Sequence, residues 1–429
     1  MIPLKRYFSL DGMYIFVLFL FAAQATVWTS NFTFPGSIVQ FLLVFMTMIF
    51  MVRKHSVNLQ NHWLCLIVAV LAIWFVLQVV VRGLPFEITA LFNLVFFVIL
   101  VFVTVKSFKE DILLWVEDVI TKMTFLSLVL YVLMSFVGPD TMAHFCFMEP
   151  ASTTSKASML VFNVPNSRYD GLGLLGLARN CGYCWEPGLF SCFICVGVTL
   201  NLLRTNCKIL NNKSLYILLV ALFTTFSTTG YFTFLIILIS FYLRNTGVVM
   251  RTILVVITIP ILLYILDLPF MGEKIMASSD EDLFITNDIG ALKYYENRGG
   301  YWTPQRFECI ALDWMNFQDS PILGYGTNPA YSYVRRNISD YIALSNGVVK
   351  DFAMFGIFLA LLFNLLIVRN SVKIAEIYRN KNVFAIMVLY YSISVSYSFI
   401  FSALLSPVFL YSYFSKDNRK IDFAAKNLN

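Results

Sequence analysis

The chain has 429 residues, of which 59% are hydrophobic and 13% charged, with a formal net charge of +6. A soluble domain is about half apolar and about a quarter charged, so this composition excludes one. The basic residues are scattered among loops instead of gathered into a patch, which excludes the electrostatic footprint of a nucleic-acid binder.

The apolar excess comes in runs long enough to cross a hydrocarbon core of roughly 30 Å. In chain order they predict an all-α polytopic membrane protein with about twelve spans: 13–30, 36–52, 62–81, 87–105, 119–138, 187–203, 214–228, 230–243, 252–269, 347–368, 383–401 and 403–414. Ala23-Gln24-Ala25 resembles a signal-peptidase site, but with so many spans following, the first run reads as an uncleaved helix. The seventh and eighth spans share the break Ser227-Thr228-Thr229-Gly230, and the short twelfth holds Pro407. With the N-terminus inside, most of the 31 lysines and arginines fall in cytoplasmic pieces, and Arg82 is the basic residue of the short outer loops. The positive-inside rule therefore expects both termini in the cytoplasm. The whole of 1–429 reads as one membrane domain, without internal repeats or a soluble domain.

Two long segments, 139–186 and 270–346, fall on the outer face. Loops on a rigid scaffold carry function, so the chemistry is sought there. The first ends in RNCGYCWEPGLF. Pro187 suits a first helical turn, and the carboxylate of Glu186 suits the positive end of the helix dipole. A capped helix accounts for those two residues but not for Arg179, which adds a cation to the same rim. Cys181-x-x-Cys184 and Cys192-x-x-Cys195 have the spacing of zinc ligands, yet the second pair lies inside an apolar span without a polar shell, so no metal is expected. Cys146, Cys181, Cys184 and Cys309 share the oxidising face, which permits one or two disulfides of unreadable connectivity. GLGLLG at 171–176 lacks the strand and helix that a phosphate loop requires, and no catalytic triad or dinucleotide fingerprint appears. No cofactor is implied.

The second long loop contains a helical pattern near 304–318. Apolar residues recur at Phe307, Ile310, Ala311, Trp314 and Met315, one face of an amphipathic helix. Thr303 can cap it, and Pro304 suits its start. Arg306 in the first turn opposes the helix dipole. An anion bound there would meet both the guanidinium and free backbone N–H groups. Gly324 and Gly326 permit turns that other residues resist. Trp302 and the neighbouring tyrosines offer faces for sugar stacking or for an interfacial belt. Asn346, Lys350 and Asp351 follow at the opening of the tenth span. Ionisable groups so near the membrane interior are functional candidates, although Lys350 also suits snorkelling to the interface.

Taken together, these stretches resemble a known family. Arg179-x-x-Gly182-x-x-x-Glu186-Pro187-Gly188 is similar to the R-x-x-G-x-x-x-E-P-G signature of O-antigen and exopolysaccharide polymerases (Wzy type), in the superfamily that includes O-antigen ligases. Thr225-x-Ser227-x-x-Gly230 resembles its T-x-S-x-x-G break. Arg306, Trp314, Pro321, Gly324 and Gly326 resemble its R…W…P-x-x-G-x-G stretch. Ser345-Asn346 followed by Gly356 resembles its H-N…G element, with serine where many relatives, ligases especially, carry histidine. The pieces keep the family's order over roughly residues 160 to 370.

The resemblance implies a C-type glycosyltransferase-like fold in the bacterial inner membrane, with both long loops periplasmic. It implies polymerisation of undecaprenyl-pyrophosphate-linked oligosaccharides, with a chain-length regulator and a flippase as protein partners. The serine at 345 tilts the reading from ligase toward polymerase. The rival readings are a ligase, a flippase or carrier, and a structural subunit of a polysaccharide assembly. A carrier should show paired repeats and polar residues at the midplane, whereas the ionisable residues here gather at the outer rim. The candidate site combines Glu186, Arg179 and Arg306 as catalytic groups with Gly188, Trp302, Gly324, Gly326, Asn346, Lys350 and Asp351 as substrate-binding groups, without a metal. Topology is testable first. On a cysteine-free background, cysteines placed at Lys156 and Lys293 should react with an impermeant maleimide from the periplasm, and one placed at Glu376 should not. A cytoplasmic position for either loop would remove the basis of outer-face chemistry.

Overall fold

A chain in lipid must satisfy its backbone internally, and long runs of Leu, Val, Ile and Phe do so as helices. The computed structural model describes residues 2–23, 34–53, 62–146, 155–159, 161–166, 178–245, 304, 306–344, 347–399 and 402–415. Its helices are α1 (Leu10–Ala23), α2 (Phe34–Arg53), α3 (His62–Arg82), α4 (Ile88–Phe108), α5 (Asp111–Val137), α6 (Pro139–His144), α7 (Pro187–Thr205), α8 (Lys213–Thr224), α9 (Thr228–Asn245), α10 (Arg306–Asp319), α11 (Tyr333–Asn337), α12 (Val348–Tyr378), α13 (Ala385–Ser394), α14 (Ser406–Phe409) and α15 (Tyr411–Phe414). Among the described residues, five helices are long and apolar enough to cross a membrane: α3, α4, α5, α7 and α12. This is an all-α membrane protein. The drawn span 252–269 and the loop stretches 147–154, 160, 167–177, 270–303, 305 and 345–346, which include Trp302, Ser345 and Asn346, lie outside the described residues.

The bundle is arranged around α7. Its apolar window is 83% buried, against 28–44% for the other four long helices, so α7 is central and the others also face lipid. It packs on α5, α8, α9 and α13. Small residues allow that crowding: Gly197 lies against Ile120 and Leu218, and Cys192 and Cys195 are fully buried. On the outside, Val80, Phe136 and Phe358 expose 72, 86 and 71% of their surface, as lipid-facing side chains should.

Polar groups fix the two ends of the bundle. At one end Glu117 accepts Arg204 Nε and Nη2, each at 2.7 Å, and Asn201 Nδ2 at 2.8 Å. Asp118 beside it accepts the Ile2 amide at 3.0 Å and the Tyr7 hydroxyl at 2.8 Å. Removing either partner of the Glu117–Arg204 pair would strand a largely buried charge, at a cost of about 3–5 kcal/mol. At the other end the Tyr131 hydroxyl donates to Ala178 O at 2.8 Å. There a hairpin of β1 (Ser155–Met159) and β2 (Phe162–Pro165) seats the approach to α7, with the Asn163 amide on Gly182 O at 2.8 Å and Asn163 Nδ2 on Cys184 O at 3.0 Å.

Several elements differ from the sequence expectation. The fifth span starts at Asp111 instead of 119, because Glu117 and Asp118 are paired and need not end in water. The eleventh stops at Ser394 instead of 401, and the twelfth resolves into α14 and α15, too short to cross a membrane. The amphipathic helix expected at 304–318 forms as Arg306–Asp319.

The tenth span is interrupted. Gly356 in α12 has φ 70° and ψ 175°, a region essentially restricted to glycine. The break leaves carbonyls without helical donors, and the loop after α10 supplies them. Tyr325 N donates to Ala353 O at 2.9 Å and Gly326 N to Met354 O at 3.0 Å, while Ile357 N donates to Pro321 O at 2.8 Å. From α3, Trp74 Nε1 reaches Phe355 O at 3.2 Å and Gln78 Nε2 reaches Met354 O at 3.2 Å. A methyl group on Gly356 would overlap Ile322 O, and one on Gly324 would overlap Met354 O. Gly356→Ala should therefore destabilise the bundle by about 3 kcal/mol or more. Thermal unfolding in detergent checks this, and an unchanged Tm would mean the interruption is not structural.

Candidate functional site

Three breaks meet at the end of the bundle away from Glu117 and Arg204. The first lies between α8 and α9. Thr225 Oγ1 bonds Leu222 O at 2.7 Å and closes α8, while Ser227 Oγ accepts Gly230 N at 3.2 Å in the first turn of α9. The last carbonyls of α8 are satisfied from the first long loop. Asn180 N reaches Thr224 O at 3.0 Å, and Arg179 Nε reaches Thr225 O at 3.3 Å. Arg179 thus sits at the negative end of the α8 dipole, where a guanidinium is stabilised. The R-x-x-G and T-x-S-x-x-G stretches are in direct contact. Ser191 in α7 completes the junction, donating to Gly188 O at 2.7 Å and to Ser227 Oγ at 3.2 Å. A methyl group on Gly230 would overlap Ser191.

The second break follows α13. Residues 395–399 leave the helix and lie among the other motifs. Tyr397 donates its hydroxyl to Glu186 Oε1. That hydroxyl occupies the space a side chain at position 188 would need, so glycine in E-P-G makes room for the contact. Thr229 Oγ1 and Ser396 Oγ are 3.0 Å apart. The Gly347 amide donates to Ser394 O at 2.7 Å. Asp351, buried in the first turn of α12, accepts the Tyr390 hydroxyl at 2.9 Å and lies 3.5 Å from Ser398 Oγ. Segment 394–399 therefore ties the loop before α7, the start of α9 and the start of α12 into one rim.

The third break is Gly356, whose loop carries Gly324 and Gly326. Tyr325 between them is fully buried, and burial, reinforced by Asp313, holds its phenol well above the usual range. It stays a neutral hydroxyl. At the edge of the same loop, Arg82 donates to Gly324 O at 2.9 Å. Arg82 and Arg336 both pair with Asp319 at 2.7 Å.

The structure thus brings Arg179, Glu186, Gly188, Lys350 and Asp351 to one end of the bundle, with Gly324 and Gly326 bracing the helix that carries the last two. Glu186 and Arg179 are half-buried, whereas Asp351 is 3% exposed. Lys350 Nζ donates to Leu344 O at 3.2 Å, in the loop before α12. Arg306 opens α10, which packs along α12; its side chain lies outside the described set, as do Trp302 and Asn346. Trp314 is half-exposed and packs on Phe317 with ring centroids 5.2 Å apart. Cys181 and Cys184 are buried in the turn before Glu186. Burial pushes the Cys184 thiol well up, which disfavours a thiolate there. Sequence reasoning missed Tyr397, Tyr390 and Gln78. The alternation of Ser392, Ser394, Ser396 and Ser398 gave no usable signal for the first, since two of these serines lie within α13.

The chain matches no protein-family model, no curated protein and no solved structure. The junction of α7 with α9 can be tested alone. Gly230→Ala should force α9 from α7 and lower thermal stability. Adding Ser191→Gly, which removes the overlapping atoms, should recover much of the loss. Additive losses in the double variant would show that the two residues do not meet.

Proposed function

We propose that this rim transfers glycan from a lipid pyrophosphate, and that the protein polymerises undecaprenyl-pyrophosphate-linked repeat units on the periplasmic face of the inner membrane. One observation carries the reading. Stretches that resemble the polymerase signature, far apart in the chain, converge on segment 394–399, with an accessible carboxylate and guanidinium among them.

The acceptor hydroxyl of a new repeat unit attacks the anomeric carbon of the growing glycan. The bond from that carbon to the pyrophosphate oxygen breaks, and undecaprenyl pyrophosphate leaves. Arg179, joined by Arg306, offsets the charge developing on the leaving group. The acceptor proton passes to a carboxylate. Glu186 suits this role better than Asp351, because it is half-buried instead of enclosed and Tyr397 orients it. Asp351 positions the segment that holds Tyr397 through Tyr390 and Ser398. The lipid carrier accounts for the placement of the chemistry at a membrane rim.

Glu186→Gln should lower glycan elongation about 100-fold or more. Arg179→Ala should cost on the order of 100-fold, and Arg179→Lys should also impair it, since it loses the bidentate fork. The polymerase reading itself is tested by the product of a deletion strain. Loss of a polymerase leaves single repeat units on the final acceptor and no ladder. Loss of a ligase leaves long chains on undecaprenyl pyrophosphate, and loss of a flippase leaves units on the cytoplasmic leaflet. Persistence of long undecaprenyl-linked chains would overturn it.

A further inference from the structure

A second site lies in the other leaflet. Helices α3, α4, α12 and α15 enclose an apolar groove of about 390 Å³, within the range of roughly 300–1,000 Å³ usual for small-molecule sites. Its floor is buried: Leu71, Leu94, Val98, Val101 and Leu359 are each 9% exposed or less. Its rims are open, with Leu66, Val70 and Leu362 exposing 51, 40 and 43%. These rims belong to helices apolar enough to cross a membrane, so the opening faces lipid. Arg369 and Tyr413 are the polar residues of the lining, and Arg369 is exposed.

Length and charge indicate the occupant. Leu359 and Arg369 lie on the unbroken part of α12 and are separated by about 15 Å at the helical rise per residue. That is about half of a hydrocarbon core of roughly 30 Å. The groove therefore accommodates a chain that spans one leaflet. A guanidinium at its exposed end matches a phosphate, and a phenol beside it can donate a further hydrogen bond. Arg369 stands on α12 far beyond the Gly356 break from Asp351, so this leaflet is the one opposite the candidate active site.

We propose that the groove binds one acyl chain of an anionic phospholipid, with the lipid phosphate held by Arg369 and Tyr413. The lipid fills the space between α3–α4 and α12–α15 and acts as a structural ligand on the face away from glycan chemistry. This site stands apart from the proposed function and survives or fails without it.

The test uses the full-length protein in detergent, titrated with palmitoyl-oleoyl phosphatidylglycerol or phosphatidylcholine and read by native mass spectrometry. The wild type should bind phosphatidylglycerol at least about 10-fold more tightly. Arg369→Gln should abolish that preference, and Val98→Trp, which fills the floor, should abolish tight binding of both lipids. Should Val98→Trp fail to fold, Leu66→Trp at the rim serves in its place. Equal affinity of the wild type for the two lipids would overturn the proposal. So would unchanged phosphatidylglycerol binding in a folded groove-filling variant, or displacement of phosphatidylglycerol by a lower concentration of polyprenyl phosphate.

Discussion

A helix interrupted inside a membrane protein leaves amides and carbonyls that water cannot reach, and the polar rim at one end of this bundle depends on how those groups are satisfied. Gly356 breaks α12, and the loop 321–326 inserts its own amides and carbonyl into the gap. Gln78 and Trp74 close it from the side. The loop is thereby bonded to α12 on both sides of the break. The two halves of α12 serve different surroundings: Val348–Phe355 joins the polar rim, and the half beyond Gly356 runs among apolar helices. The same device recurs between α8 and α9, where Arg179 and Asn180 bond the carbonyls that end α8.

This arrangement gives Arg179 two properties at once. Its Nε is spent on a helix terminus, which fixes the guanidinium, and the side chain still stands half-exposed at the rim. A charge fixed by the scaffold needs no reorganisation when an anion develops beside it, the condition under which electrostatic stabilisation is most effective. Glu186 is fixed comparably, between the start of α7 and the hydroxyl of Tyr397.

Features determined by neighbours in the chain were legible in the sequence. The period of apolar residues located α10, Pro187 marked the start of α7, and the Thr-Ser-Gly pattern marked the break before α9. Features determined by distant partners were not. Glu117 and Asp118 look like loop charges until Arg204 and Ile2 are placed against them. The interruption at Gly356 has meaning only once Pro321 and Tyr325 are beside it. Tyr397 sits in a stretch apolar enough to be drawn as helix. The candidate residues were found where charge or glycine stood out against an apolar background. The tyrosines that orient them blended into it.

The bond between Tyr397 and Glu186 joins positions 211 residues apart, and this has a consequence for biogenesis. During synthesis α7 enters the membrane long before segment 394–399 has been translated. Until then Glu186 lacks its hydroxyl donor, Asp351 lacks Ser398, and the amide of Gly347 lacks its carbonyl. The nascent chain can insert its spans but cannot yet form the ordered rim. The rim stays incomplete until segment 394–399 arrives, so partial chains left by interrupted translation would occupy membrane without it.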